Sequence, residues 1–210
     1  MSAGPEVIRQ VLEVARSAGF LGPGPIEAHL AHSGGFAELA EEALGAVPTA
    51  FADLGSGGGV PGLVLAMRWP EARAVFIDAN VRRCAALRDA TEQLGITGRA
   101  RVVEERAELV GGPGPYREQF ELVTARSFGP PAVTAEIAAG LVKLGGVLVV
   151  SEPPEDDADR WPHAGLEPLG FAPARRLVRS GAHFVSVPKI APTPEKFPRG
   201  VGRPAKRPLW

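Results

Sequence analysis

Cysteine is all but missing from these 210 residues: Cys84 stands alone, so no internal disulfide can form. One thiol with four scattered histidines gives no metal-ligand spacing either. A reducing cytoplasm and no metal site are the expectation. Long apolar runs are missing too. Glu6, Arg9, Glu13 and Arg16 interrupt any apolar stretch over residues 1–20, so neither a signal peptide nor a membrane span is expected there. Nor is there an excess of charge of one sign. Lys and Arg number 23 against 24 Asp and Glu, a net charge of −1 that would argue against a nucleic-acid partner if it were spread evenly. It is not spread evenly: Lys189, Lys196, Arg199, Arg203, Lys206 and Arg207 face only Glu195 near the C-terminal end, leaving the rest of the chain correspondingly acidic.

What is present is the composition of a globular protein, 45% hydrophobic and 22% charged. The length predicts one domain with a small appendage. Val7, Ile8, Val11, Leu12 and Ala15 form one apolar stripe on a helix ending near Gly19, and a second helix is predicted from Pro25 to Leu44. Together they make an N-terminal helical lead-in over 1–47 that is expected to pack on a main domain over 48–190. Residues 191–210 form a basic, proline-rich tail.

From residue 49 the pattern alternates between strand and helix, the signature of a parallel sheet covered on both faces. Strands are predicted at Thr49–Leu54, Ala72–Ile77, Ala100–Glu104, Phe120–Ala125 and Gly146–Val150. Helices are predicted at Pro61–Arg68, Val81–Leu94 and Ala132–Leu144. Phe171–Val178 and Ala182–Pro188, separated by Arg179, Ser180 and Gly181, read as a hairpin. The fold class is therefore α/β: a Rossmann-like sheet of seven strands ending in an antiparallel hairpin, as in class I methyltransferases.

Asp53-Leu54-Gly55-Ser56-Gly57-Gly58-Gly59 sits between the first strand and its helix, where glycines let the backbone approach a ligand closely. Two templates compete. Gly57-Gly58-Gly59-Val60-Pro61-Gly62 satisfies the dinucleotide pattern, and Asp53 to Gly59 satisfies the acidic-x-G-x-G-x-G loop of methyltransferases. Asp53 would repel a pyrophosphate but can hold, directly or through water, the ammonium of a methionine moiety. Pro61 lacks a donor that a diphosphate would want. Both features favour the methyltransferase template.

Asp78, at the end of the second strand, can accept hydrogen bonds from ribose hydroxyls; the alternative is a helix cap, a role Asn80 could fill instead. Arg106-Ala107-Glu108 follows the third strand, either beside an adenine or as a solvated helix start. Arg126-Ser127 follows the fourth, at the carboxyl edge where open α/β sheets gather ligands. Cys84 is expected to pack inside a helix.

These motifs, in this order, resemble the RsmG (GidB) family of bacterial ribosomal RNA methyltransferases. The likeness rests on Asp53 through Val60, Pro61, Gly62 and Leu63, on Asp78 with Arg82 and Arg83, on Arg106-Ala107-Glu108, and on Ala125-Arg126. His29-Leu30-Ala31-His32-Ser33 is similar to the family's His-x-x-Asp-Ser segment. The run from Phe197-Pro198-Arg199-Gly200 to Lys206-Arg207-Pro208-Leu209 is similar to its tail. The resemblance implies S-adenosylmethionine as cofactor, with contacts at Gly55, Val60, Ala107, Glu108 and Arg126. The full set expected to bind cofactor is Asp53, Gly55, Ser56, Gly57, Gly59, Val60, Asp78, Ala79, Ala107, Glu108 and Arg126.

The resemblance further implies methylation of N7 of one guanine in the decoding region of small-subunit ribosomal RNA, naked or in the assembling subunit, by a monomeric enzyme with no membrane partner. N7 already offers a lone pair, so no general base is named and catalysis is mainly alignment. Arg82, Arg83, Phe128, Arg199, Arg203, Lys206 and Arg207 are the residues expected on RNA, Phe128 being the best-placed stacking ring in a chain poor in aromatics. The tail taken alone could equally be a solvated, partly disordered terminus. Three positions depart from the family. His32 replaces an Asp, Ala86 an aromatic, and Ser151-Glu152-Pro153-Pro154 a segment that often carries Lys-Gly, where Glu152 should weaken phosphate attraction. A diverged small-molecule methyltransferase, or a cofactor- or RNA-binding module without turnover, are the alternatives.

Overall fold

The computed structural model describes residues 4–154 and 159–210. Two helices, α1 (Pro5–Ser17) and α2 (Ile26–Leu44), precede the first strand, and each ends where a glycine takes the left-handed conformation: Gly19 just beyond α1 and Gly45 at the end of α2. The chain then runs β1 (Ala50–Leu54), α3 (Gly62–Arg68), β2 (Arg73–Asp78), α4 (Val81–Gln93), β3 (Ala100–Glu104), α5 (Ala107–Val110), β4 (Phe120–Ala125), α6 (Pro131–Ala139) and β5 (Val142–Glu152). A short α7 (His163–Leu166), the hairpin β6 (Arg175–Arg179) and β7 (Ala182–Pro188), and a last turn α8 (Arg203–Lys206) complete it.

The sheet order is β3-β2-β1-β4-β5-β7-β6. β1 to β5 pair in parallel, whereas β7 is antiparallel to both β5 and β6. Ser180 and Gly181 turn the hairpin with φ of 49° and 75°, the positive pair that a two-residue type I′ turn requires.

Alternation along the strands feeds two apolar layers. Phe51, Phe76, Leu122 and Val149 face α1, α2, α3 and α4; Ala52, Ile77, Val123 and Leu148 face α6, α7 and the C-terminal segment. The lead-in supplies a large part of the first layer: Phe36, Ala37 and Ala40 of α2 are fully buried there.

Strand ends differ from expectation by a residue in β1 and β2, and α3 starts at Gly62 with Pro61 as its N-cap. Two elements need correction. The helix predicted over Ala132–Leu144 stops at Ala139, and Val142 already belongs to β5, whose pairing with β4 shifts register between Phe120 and Leu122. A mostly apolar run with only scattered polar residues gives little periodicity to separate buried helix from buried strand. The strand predicted from Phe171 begins at Arg175. Phe171 makes a single bridge to Lys189, and Pro173 has no donor to extend the ladder.

The C-terminal segment is ordered and docked. Arg117 donates to the carbonyls of Phe197 at 2.8 Å and Thr193 at 3.0 Å, and Trp210 Nε1 donates to Arg160 O at 3.0 Å. Lys189 belongs to the interior and not to a basic surface: it is 1% exposed, and its ammonium donates to Ala139 O, Leu169 O and Thr193 Oγ1. Burial lowers its pKa to about 8.

Arg199 locks the segment to α6, its backbone N and Nε each donating at 2.8 Å to the fully buried carboxylate of Glu136. Replacing Arg199 by Met strands that carboxylate, and a broken buried pair costs about 3–5 kcal/mol. Urea unfolding of Arg199→Met against wild type is expected to show a loss of that size, far above the change from an exposed cation such as Lys206→Met.

Candidate functional site

The chain leaves β1 on one side of the sheet for β2 and β3 and returns on the other at β4, so a crevice opens beyond the carboxyl ends of β1 and β4. The glycine loop fills its near side. Gly55, Gly57 and Gly59 all have positive φ, and the loop is pinned to β2: Gly55 N and Ser56 N donate to Ile77 O at 2.8 and 3.1 Å, and Gly57 N to Asp78 Oδ2 at 2.9 Å. At Gly58 the requirement is space, since a Cβ there would lie 2.7 Å from the carbonyl oxygen of Phe20 and 2.5 Å from Leu21. The lead-in thus lies directly against the loop.

Asp78 is nearly buried and has both carboxylate oxygens engaged, Oδ1 accepting from Asn80 N at 2.8 Å. It does not cap α4. Asn80 does, accepting from Arg83 N at 3.1 Å. Arg83 Nη1 lies 3.9 Å from Asp78 Oδ2. Cys84 sits beneath, its thiol donating to Asp78 O at 3.1 Å and pushed up to about 11 by burial, which makes it a packing residue.

Two adjoining clefts share Gly55, Arg83 and Ser127. The larger, about 510 Å³, is walled by Asp78, Ala79, Ala107, Glu108, Phe128, Ile137 and Ala205. The smaller, about 180 Å³, is walled by Phe20, Leu21, Gly22, Ser56, Gly57, Val60 and Arg126. Of the residues expected to bind cofactor, all but Asp53 and Gly59 line one or both. Gly59 packs on Leu63, and Asp53 lies under the loop, 1% exposed.

Asp53 Oδ1 accepts from Thr124 Oγ1 at 2.7 Å, while Oδ2 has no hydrogen-bond partner. Burial raises its pKa to about 6, against the opposing pull of Thr124, Ser56, the Gly62 backbone N–H and, last, the Arg126 cation. Arg126, half-buried at the end of β4, donates from Nη2 to His29 Nδ1 at 3.0 Å, and its Nη1 is buried without a partner. His29 Nε2 in turn donates to Gly22 O at 3.2 Å. His32, one turn along α2, stacks on Phe184 and shares a hydrogen bond with Ser151 Oγ at 3.2 Å; burial and then the Arg126 cation lower its pKa to about 4. Next to this cluster, Ser127 adopts φ 53°, a conformation rare for residues other than glycine and concentrated at functional sites.

The residues expected on RNA divide. Arg83 and Phe128 line the larger cleft, and Phe128 covers Gly55. Arg82 is exposed, its guanidinium 5.8 Å from the centre of the Phe20 ring. Arg203, Lys206 and Arg207 are exposed on and just after α8, whose Ala205 forms part of the cleft wall. Arg199 is instead bonded to Glu136. Glu108 accepts from Arg106 Nη2 and Gly202 N, both at 2.9 Å, which ties the C-terminal segment to the rim.

Three contributors escaped sequence reasoning: the Phe20–Gly22 wall, the His29 bridge and the wall formed by Ala205. No motif marks Phe20 to Gly22, and His29 is read in the sequence only as part of the segment similar to the family's His-x-x-Asp-Ser. Among the described residues no group of three or more His, Cys, Asp or Glu could hold a metal, and no helix is long and apolar enough to cross a membrane.

A family model described as rRNA small subunit methyltransferase G matches residues 26–157. The ribosomal RNA small subunit methyltransferase G of Chloroflexus aggregans is 37% identical over 168 residues, 77% of this chain and 70% of that protein. The protein of the same name from Lactobacillus acidophilus is 34% identical over 165 residues, 75% and 68% of the two chains. Among solved structures, the O-methyltransferase from Bacillus cereus in complex with SAH superposes with a TM-score of 0.60 at 14% identity, covering 89% of this chain and 92% of that one, a likeness of fold. The chain belongs to the GidB family of small-subunit ribosomal RNA methyltransferases.

Proposed function

We propose that this protein transfers the methyl group of S-adenosylmethionine to N7 of a guanine in small-subunit ribosomal RNA, acting as a cytoplasmic monomer. The observation that carries the reading is a pair of unpartnered buried atoms, Arg126 Nη1 in a wall of the smaller cleft and Asp53 Oδ2 beneath the glycine loop that borders it. They are opposite in charge, and they match the ammonium and carboxylate of a free amino-acid end. When bound, S-adenosylmethionine supplies an electrophilic methyl on a sulfonium.

The chain's own residues orient and screen. Asp53 takes the ammonium from below while Ser56, Gly57, Gly59 and Val60 shape the loop around it; Gly55 lies at the junction of the two clefts. Asp78, its oxygens already held by Gly57 N and Asn80 N, faces the ribose with fixed lone pairs, and Ala79 follows it along the wall. Glu108 is committed to Arg106 and Gly202, so the adenine is read by backbone at Ala107 and by the apolar side of Ile137 and Val133. N7 of guanine carries a lone pair and loses no proton on methylation, which fits a site whose two nearby histidines are tied up by Gly22, Arg126 and Ser151. Arg83 lines the larger cleft, Arg203, Lys206 and Arg207 are exposed on and just after the helix whose Ala205 helps wall it, and Arg82 is exposed beside Phe20; in this reading these cations meet phosphates and Phe128 stacks on the base. Those cations support RNA over a small apolar acceptor.

Incubation with S-adenosylmethionine and small subunits or rRNA lacking the modification is expected to place one methyl on guanine N7; methyl transfer to no guanine in either substrate overturns the assignment. Cofactor affinity is expected to depend on ionised Asp53. It is constant from about pH 6 up to the pH at which the ligand's own ammonium deprotonates, and falls as the carboxyl protonates below about 6, by about tenfold per unit. Calorimetry on Asp53→Asn is expected to show affinity lowered about 10- to 100-fold at neutral pH, the size of one charged hydrogen bond, with this pH dependence removed.

A further inference from the structure

We infer that His29 is a positioning residue of the cofactor site, holding two residues that line the smaller cleft, Arg126 and Gly22, through its two ring nitrogens. The inference rests on the reading of Arg126 given above. His29 lies on α2, outside the sheet and outside every motif of the glycine loop, and its residue surface is 3% exposed. Its two hydrogen bonds fix one tautomer. Gly22 O can only accept, so Nε2 carries the proton; the guanidinium of Arg126 can only donate, so Nδ1 is bare. A neutral imidazole is the form this geometry needs, and burial together with the Arg126 charge holds its pKa below the usual value.

The consequence falls on Arg126. An arginine side chain has several rotatable bonds, and here its Nη2 is fixed by His29 while Nη1 is left buried and unpartnered. Holding one arm of the fork aims the other. Without His29 the guanidinium keeps its charge but loses its fixed direction, and Gly22, which lines the same cleft, loses its tether to α2. His29 touches neither cofactor nor acceptor in this arrangement; it acts through its neighbours.

Binding of S-adenosylmethionine to the full chain, measured by calorimetry without RNA, tests this in a double-mutant cycle. His29→Leu is expected to weaken binding about tenfold, the size of one lost hydrogen bond. His29→Gln, whose amide can accept from Arg126 and donate to Gly22, is expected to remain within about threefold of wild type. Arg126→Met is expected to weaken binding more than either, and adding His29→Leu to it to cost little further, because the histidine acts through the arginine. Wild-type affinity in His29→Leu, or losses that simply add in the double variant, overturns the inference. Wild-type affinity in Arg126→Met overturns it along with the role given to Arg126, whereas failure of the RNA assay with the cycle intact removes only the acceptor.

Discussion

The carboxylate of Asp53 is the constraint around which the carboxyl edge of this sheet is organised. A group of that kind, buried between two parallel strands, is expensive to desolvate, and the fold answers only half of its demand. Thr124 on β4 satisfies one oxygen, Oδ2 is left without a hydrogen-bond partner, and the nearby positive charge of Arg126 offsets part of the burial penalty. That arrangement needs β1 and β4 to be neighbours, which is the point where the strand order reverses. The register places Asp53 opposite Thr124 and Leu54 opposite Ala125, so Arg126 emerges beside the glycine loop. Gly62 belongs to the same constraint, because a Cβ there would come within 2.7 Å of Asp53 Oδ2.

This half of the molecule was legible in the sequence because its signals are local. The glycine loop, the acidic residue near the carboxyl end of β1 and of β2, and the alternation of strand and helix each lie within a few residues of the feature they specify. β3 and β4 came out at their observed ends for the same reason. The division of residues 132–144 between helix and strand did not, since the helix is buried on every side and the few polar residues, Thr134, Glu136 and Lys143, mark no clear period across the junction.

What the sequence did not show is set by contacts across long separations. The lead-in was legible as two helices, yet nothing in it announced that Phe20 and Leu21 press against Gly58, or that His29 reaches Arg126 ninety-seven positions away. The tail was legible as basic, but a count of cations cannot distinguish Lys189, enclosed by three oxygens of the interior, or Arg199, clasped by Glu136, from Arg203, Lys206 and Arg207 at the surface. Burial sorts one charge-rich segment into a structural clamp and an exposed rim.

The same sorting changes the meaning of the departures from the family pattern. Glu152 was expected to repel phosphate at the substrate edge. Its side chain is only 11% exposed, and Arg160 Nη1 lies 3.4 Å from its Oε2, so its charge is largely compensated before any RNA approaches. His32 stands where an acidic residue is usual and is neutral under ordinary conditions, because burial holds its pKa near 4. Its stack on Phe184 keeps it in the packed layer between α2 and β7. Neither change therefore adds negative charge where phosphate would come. Ala86, the third, lines a small apolar hollow of about 80 Å³ between α1 and α4 and beside Gly57 and Gly58, so the change there falls on an apolar contact and not on a charge. Two of the departures are thus matters of packing and one is an internal ion pair, so none of the three adds an uncompensated negative charge.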